Sequence, residues 1–70
     1  MDLQIGKLYW KKERGALQAG RPKLVLVLSV IGNSDFEGYG GVVRLLNIET
    51  QVKYNMQLYW LGLTFTLSPA

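Results

Sequence analysis

The residues that could carry out catalysis are few in this sequence. It contains no cysteine and no histidine, which removes the thiolate nucleophile, the commonest general base and the commonest zinc ligand. The five carboxylates are scattered along the chain, and the serines have no base partner. Because nucleophilic catalysis needs a nucleophile, a base and an oxyanion-stabilising group together, we expect neither an enzyme nor a cofactor.

Two short motifs resemble ligand-binding loops but are incomplete. Asn33–Gly38 places oxygen-bearing side chains at alternate positions and glycine at the sixth, as in the first half of a calcium loop. The twelfth position, where such loops carry glutamate, is Arg44. Gly38–Gly41 could suggest a phosphate loop, but a strand pattern follows it instead of a helix. We therefore predict no metal site, and interpret the two segments as a solvated turn and a flexible strand entry.

The positive charges are the strongest candidates for binding a partner. The net charge is +3, and residues 1–23 contain six Lys and Arg against two Asp and Glu. Tyr9 and Tyr59 each precede a tryptophan, so on a strand each points to the opposite side from that tryptophan and is expected to be exposed beside these cations. Exposed aromatic rings beside cations are how small barrels hold single-stranded nucleic acid. The predicted partner-binding residues are Lys7, Tyr9, Lys11, Lys12, Arg14, Arg21, Lys23 and Tyr59.

The strand that organises the chain is predicted at residues 52–60, where apolar side chains alternate with mostly polar ones. Trp60 ends the apolar face and is predicted to be an anchor of the core. The preceding run, Val42–Ile48, predicts the antiparallel partner of this strand. A three-residue loop, Glu49–Gln51, keeps apolar residues opposite one another but puts Arg44 on the inner face.

The remaining elements are shorter. Alternation predicts a first strand over residues 3–10, with a bulge at Gly6. The segment Lys11–Pro22 is expected to be a long basic loop that contributes affinity for acidic partners rather than stability. One tight turn at residues 61–63 and a final strand, Thr64–Ser68, end the pattern.

The second strand, Lys23–Ile31, is apolar on both faces. Its even-numbered residues are predicted to face the core. The odd-numbered set is then predicted to meet a second copy of the chain, because a small domain has one interior and uncovered aliphatic side chains forgo stability. The predicted self-association residues are Val25, Val27 and Ile31.

This order of strands, with a one-turn step at residues 60–62 before a short last strand, resembles an SH3-like small β-barrel. The resemblance implies an all-β fold, a five-stranded SH3-like antiparallel barrel, over residues 1–70 as one domain. The acidic first loop and the proline-recognising aromatic residues of true SH3 domains are missing, so their peptide binding is not implied. Short, cysteine-free barrels of this kind are similar to many small bacteriophage proteins.

We therefore expect a non-catalytic barrel that self-associates and acts through contacts with a protein of unknown identity, as an adaptor, structural or host-modulating protein. The alternative is a nucleic-acid-binding barrel that uses the basic loop and tyrosines. No membrane partner is expected, because the longest apolar run, Leu24–Ile31, is only eight residues long and includes Ser29, whereas a spanning helix needs about 20. The expected location is cytoplasmic or intracellular, with a virus-encoded protein as one option.

Overall fold

The computed structural model describes residues 3–15, 20–32 and 41–70. The suggested calcium loop and all but the last residue of the glycine-rich segment lie outside these ranges. The elements in chain order are β1 (Leu8–Glu13), β2 (Lys23–Ile31), β3 (Val42–Asn47), β4 (Lys53–Gln57), α1 (Leu58–Thr64) and β5 (Phe65–Pro69).

The five strands form one antiparallel sheet in the order β4-β3-β2-β1-β5. The prediction of an all-β, five-stranded antiparallel fold is therefore confirmed. The sheet is open rather than closed, since no ladder among the described residues joins the two edge strands β4 and β5. The helix α1 connects these edges along the chain.

The core lies on one face of the sheet, which we name the inner face. Strands β2 and β3 each supply two fully buried aliphatic side chains, and α1 covers them with Leu61. Tyr9 packs beside them from β1 and is 8% exposed. The buried core residues are Tyr9, Val25, Val27, Val43, Leu45 and Leu61.

The face assignment of β2 is corrected by the structure. Val25 and Val27, predicted to meet a second copy, are fully buried in the core, while the even-numbered leucines are only partly buried on the opposite, outer face. The pairing with β3 shifts between Val27 and Ser29. Because such a bulge reverses the alternation, Val30 packs on the inner face and Ile31 is 62% exposed.

The register of the β3–β4 hairpin also differs from the prediction by one residue. Leu46 lies opposite Lys53 and Leu45 opposite Tyr54, so Arg44 is exposed on the outer face. The Asn47 side chain accepts a hydrogen bond from the Thr50 N–H at 3.1 Å. Gln51 adopts a φ of 61°. The register of the hairpin is therefore set by this turn, in which Asn47 makes the side-chain hydrogen bond. The alternation of apolar side chains does not indicate that Asn47 has this role.

The long strand predicted at residues 52–60 ends at Gln57, and the tight turn is a seven-residue helix. Trp60 therefore lies on the helix and is 57% exposed, so its prediction as a core anchor is wrong. Leu61, one residue later, takes that place. The last strand was predicted one residue early, but its inward-facing side chains, Phe65 and Leu67, do pack against the core.

The start of the chain is less regular than its alternation suggests. Residues 5–6 form a turn in which Gly6 has a φ of 82°, and β1 begins only at Leu8. The strand then continues through Lys11–Glu13, which had been assigned to the basic loop. The connection between β1 and β2 is therefore shorter than predicted, and part of its charge is carried on a strand.

Candidate binding surfaces

The eight predicted partner-binding residues do not form one surface. In β1 the side chains alternate, so Tyr9 and Lys11 lie on the inner face and Lys12 on the outer face. Lys7 precedes the strand and is exposed. Tyr59 lies on α1 and is partly exposed. Arg21 and Lys23 follow at the start of β2.

Tyr9 is not the exposed aromatic residue that the sequence predicted. It is opposite Val25 in the ladder and its ring joins the core. Its hydroxyl oxygen accepts a hydrogen bond from the Gln4 N–H at 3.0 Å. Tyrosine suits this position because the ring is apolar while the hydroxyl finds a polar partner at the edge of the core. Trp10, the next residue of β1, lies on the opposite face and is 44% exposed.

Arg14 has a structural role. Its Nε–H donates hydrogen bonds to the carbonyl oxygens of Gly62 at 2.8 Å and Phe65 at 3.1 Å. The Arg14 backbone N–H donates to the Thr64 carbonyl oxygen at 2.9 Å. These bonds satisfy carbonyl groups at the carboxyl end of α1, where a cation is also favoured by the peptide dipoles.

We therefore expect Arg14→Ala to lower the free energy of unfolding by about 1 kcal/mol, the usual net value of an exposed hydrogen-bonded side chain. Urea unfolding followed by circular dichroism measures this change. Lys12→Ala is the matched control, because Lys12 is exposed on the same strand and its side chain donates to no residue in the described part of the chain. Equal unfolding midpoints for the two variants would contradict the role of Arg14 at the helix end.

Lys11 lies on the inner face of β1 and contacts one residue of each edge strand, Tyr54 of β4 and Phe65 of β5. Its Nζ donates a hydrogen bond to the Tyr54 hydroxyl oxygen at 2.7 Å. The same nitrogen lies 4.8 Å from the ring centre of Tyr54 and 4.5 Å from that of Phe65, within the range of cation–π attraction. The charges of Lys11–Pro22 were expected to be solvated and to add affinity rather than stability, but Lys11 and Arg14 make contacts within the fold that can stabilise it.

Beside Lys11 a cleft of about 210 Å³ opens between the ends of β1, β2 and β5. We name it the basic cleft. It brings together three of the predicted cations and adds Phe65, which the sequence had not indicated. The lining residues are Lys11, Glu13, Gly20, Arg21, Lys23 and Phe65.

The outer face of the sheet carries a second surface, which we name the outer apolar row. Leu8, Leu26 and Leu46 are directly paired across β1, β2 and β3, and Trp10 is paired with Leu24. All five are partly or largely exposed. A groove of about 510 Å³ adjoins Trp10. The sequence would have indicated this row if the even-numbered residues of β1 and β2 had been assigned to the outer face instead of the core.

Other chemistries find no support among the described residues. Over residues 3–15, 20–32 and 41–70 there is no group of three or more acidic side chains that could hold a metal ion. In the same ranges no helix is both long and apolar enough to cross a membrane.

No family model matches the chain, and neither a curated protein nor a solved structure is significantly similar to it. Fold and surfaces together define a small, mostly β protein with an open five-stranded antiparallel sheet, one apolar outer face and one basic cleft. The kind of partner is therefore inferred from geometry and charge.

Proposed function

We propose that the protein is a non-catalytic binding module that acts through protein–protein contacts made by the outer apolar row. The single observation that supports this proposal is a row of paired apolar side chains on three neighbouring strands, in which Trp10 and Leu8 are exposed and three further leucines are partly exposed. A soluble monomer rarely leaves so continuous an apolar surface uncovered, and such patches usually mark contact sites. A tryptophan beside aliphatic side chains is also typical of the centre of a protein interface.

We also propose that the sheet belongs to the SH3-like class of small barrels. The strand order β4-β3-β2-β1-β5 and the short helix between the two edge strands support this. Fold class does not identify a partner, so the proposal about function depends on the outer apolar row alone. A virus-encoded protein working inside a cell stays a prediction.

A second copy of the chain is the occupant that we propose for the outer apolar row. The row is centred on β2, the middle strand, and is flanked on both sides by polar residues of the edge strands β4 and β5. Two sheets packed face to face about a twofold axis along β2 would place β1 over β3 and β4 over β5. In this arrangement the leucines of one chain pack against those of the other. Lys53 of β4 lies over β5 of the second chain, away from the equivalent lysine.

The size and strength of such a contact are moderate. The molecule extends 32 × 25 × 18 Å, so its broad face offers at most about 800 Å², the usual area per partner in a stable interface. Each apolar side chain of the row, being only partly exposed, gains at most about 1 kcal/mol when it is covered. The free energy gained by all these side chains in the two chains is close to the free-energy cost of bringing two molecules together. We therefore expect a reversible dimer that dissociates on dilution.

The test replaces Leu26, at the centre of the row, with lysine. Light scattering across a dilution series should show the parent moving from dimer to monomer, and Leu26→Lys remaining monomeric at all concentrations. Thr50→Lys is the matched control, because it adds the same charge at an exposed position in the turn between β3 and β4, beyond the ends of the paired strands. A parent that stays monomeric at high concentration, or a Leu26→Lys variant that dimerises equally well, would refute the proposal.

The alternative, nucleic-acid binding, has lost part of its support. Tyr9 is buried, and Arg14 is engaged with the carboxyl end of α1, so neither is available as proposed for a nucleic-acid surface. Three cations remain together in the basic cleft. Lys11 and Lys23 lie on the other face of the sheet from the outer apolar row, and Arg21 borders both surfaces.

A further inference from the structure

We propose that the basic cleft is a binding site for the phosphate group of a small phosphomonoester. Two of its cations, Lys11 and Lys23, are on the inner side of β1 and β2, opposite the outer apolar row of the proposed dimer contact. Arg21 borders both the basic cleft and the groove beside Trp10, so the tests below use Lys23 and not Arg21. Either proposal can therefore fail without the other.

The first support is the direct pairing of Lys11 with Lys23 across β1 and β2. Side chains at directly opposite positions have Cβ atoms about 5 Å apart, and like charges placed there repel each other. Neither lysine forms an ion pair within the described part of the chain. A bound anion would remove this repulsion, and sites that bind charged ligands commonly tolerate such unfavourable arrangements.

The second support is that Lys11 is already oriented. Its half-buried Nζ is held by the Tyr54 hydroxyl and by the rings of Tyr54 and Phe65. An ammonium group has three donors, so two remain to bind a ligand after the bond to Tyr54. A side chain that is fixed before binding loses less conformational entropy when the ligand arrives.

The charge and volume of the cleft select the ligand. The three cations of the cleft, Lys11, Arg21 and Lys23, are opposed by one carboxylate, Glu13. The excess of two positive charges matches a phosphomonoester, which carries a charge of about −2 at neutral pH. The volume of about 210 Å³ is below the usual 300 Å³ or more of pockets for whole drug-sized molecules. The cleft therefore holds the phosphate group, and the rest of the molecule would extend past the Phe65 ring.

The experiment titrates the ¹⁵N-labelled protein with inorganic phosphate and, separately, with adenosine monophosphate, followed by nuclear magnetic resonance. We expect saturable shifts confined to the residues around the cleft. Lys23→Gln should weaken binding of both ligands about tenfold, because a charge-assisted hydrogen bond is lost. Lys12→Gln is the matched control and should leave the affinity unchanged, since it removes the same charge from the other face of β1.

A short single-stranded oligonucleotide without a terminal phosphate separates the monoester from a nucleic-acid backbone. We expect it to bind more weakly than adenosine monophosphate. Tighter binding of the oligonucleotide with the same dependence on Lys23 would overturn the monoester assignment in favour of nucleic acid. The absence of saturable shifts, or equal losses in Lys12→Gln and Lys23→Gln, would overturn the site itself. Leu26→Lys should keep its phosphate affinity, which separates this site from the dimer contact.

Discussion

Replacing Val27 with lysine should unfold the protein. Val27 is 1% exposed and lies between the other core residues of β2 and β3. Among the described residues no acidic side chain is buried in the core, so an ammonium group placed there has no partner from them, and burying an unpaired charge costs several kcal/mol. That is comparable with the whole free energy of unfolding of a small domain, about 5 kcal/mol or somewhat more. Circular dichroism should show the loss of the cooperative thermal transition.

Leu26→Lys is the control for this prediction as well as the test of the dimer. Leu26 is adjacent in sequence and sits on the same strand, but its side chain is on the outer face. We expect this variant to keep a cooperative transition, because a long cationic side chain can extend from this partly exposed position into water. If Val27→Lys melted like the parent and Leu26→Lys were unfolded, the two faces of β2 would be assigned the wrong way round.

Replacing Leu61 with alanine should cost about 2–5 kcal/mol of the free energy of unfolding. Leu61 is the only fully buried residue of α1 among those described, and it covers the valines and leucine of the sheet. Its removal would leave a cavity over the middle of a core in which few side chains are fully buried. Urea unfolding followed by tryptophan fluorescence and circular dichroism would measure the loss.

Trp60→Ala provides the comparison on the same helix. More than half of the Trp60 side chain is exposed, so its truncation removes little packing and should cost clearly less than Leu61→Ala, despite the larger side chain. A greater loss of stability in Trp60→Ala would restore the role that the alternation of residues 52–60 had suggested. Circular dichroism alone follows this variant, since its fluorescence changes with the loss of a tryptophan.

Much of the strand pattern could be predicted from the sequence. The bounds of β2 were predicted as they are observed, and β3 within one residue. The inward direction of Phe65 and Leu67 was also predicted correctly. These elements are rich in β-branched and aliphatic residues and are bounded by glycine or proline, so local preference and tertiary structure agree.

The alternation over residues 52–60 misled because the strand gives way to a helix. Leu58 and Trp60, the first and third residues of α1, continue the alternation of apolar side chains that begins in β4. At this length, helical and extended patterns cannot be separated by periodicity alone. The contact of the Leu58 N–H with the Gly41 carbonyl oxygen, at 2.8 Å, is made by residues far apart in the sequence.

The candidate surfaces were predicted less well, for the same physical reason on both faces of the sheet. A period of two shows that side chains alternate but does not say which set faces the core. In β2 both sets are aliphatic, so hydrophobicity does not choose between them, and the bulge after Val27 reverses the parity within the strand. The choice was made by β3 and α1, which supply the partners of Val25 and Val27.

By itself the sequence determined which side-chain chemistry is missing and which secondary structure its residues favour. The lack of cysteine and histidine excludes thiolate and imidazole chemistry, and composition favours a β-rich fold with its cations near the start of the chain. Only the tertiary structure decided which of these cations are neighbours in space. Lys11 meets Lys23 and Tyr54, while Arg14 meets Gly62, because sheet ladders and helix ends join positions that are distant in sequence and leave no local pattern.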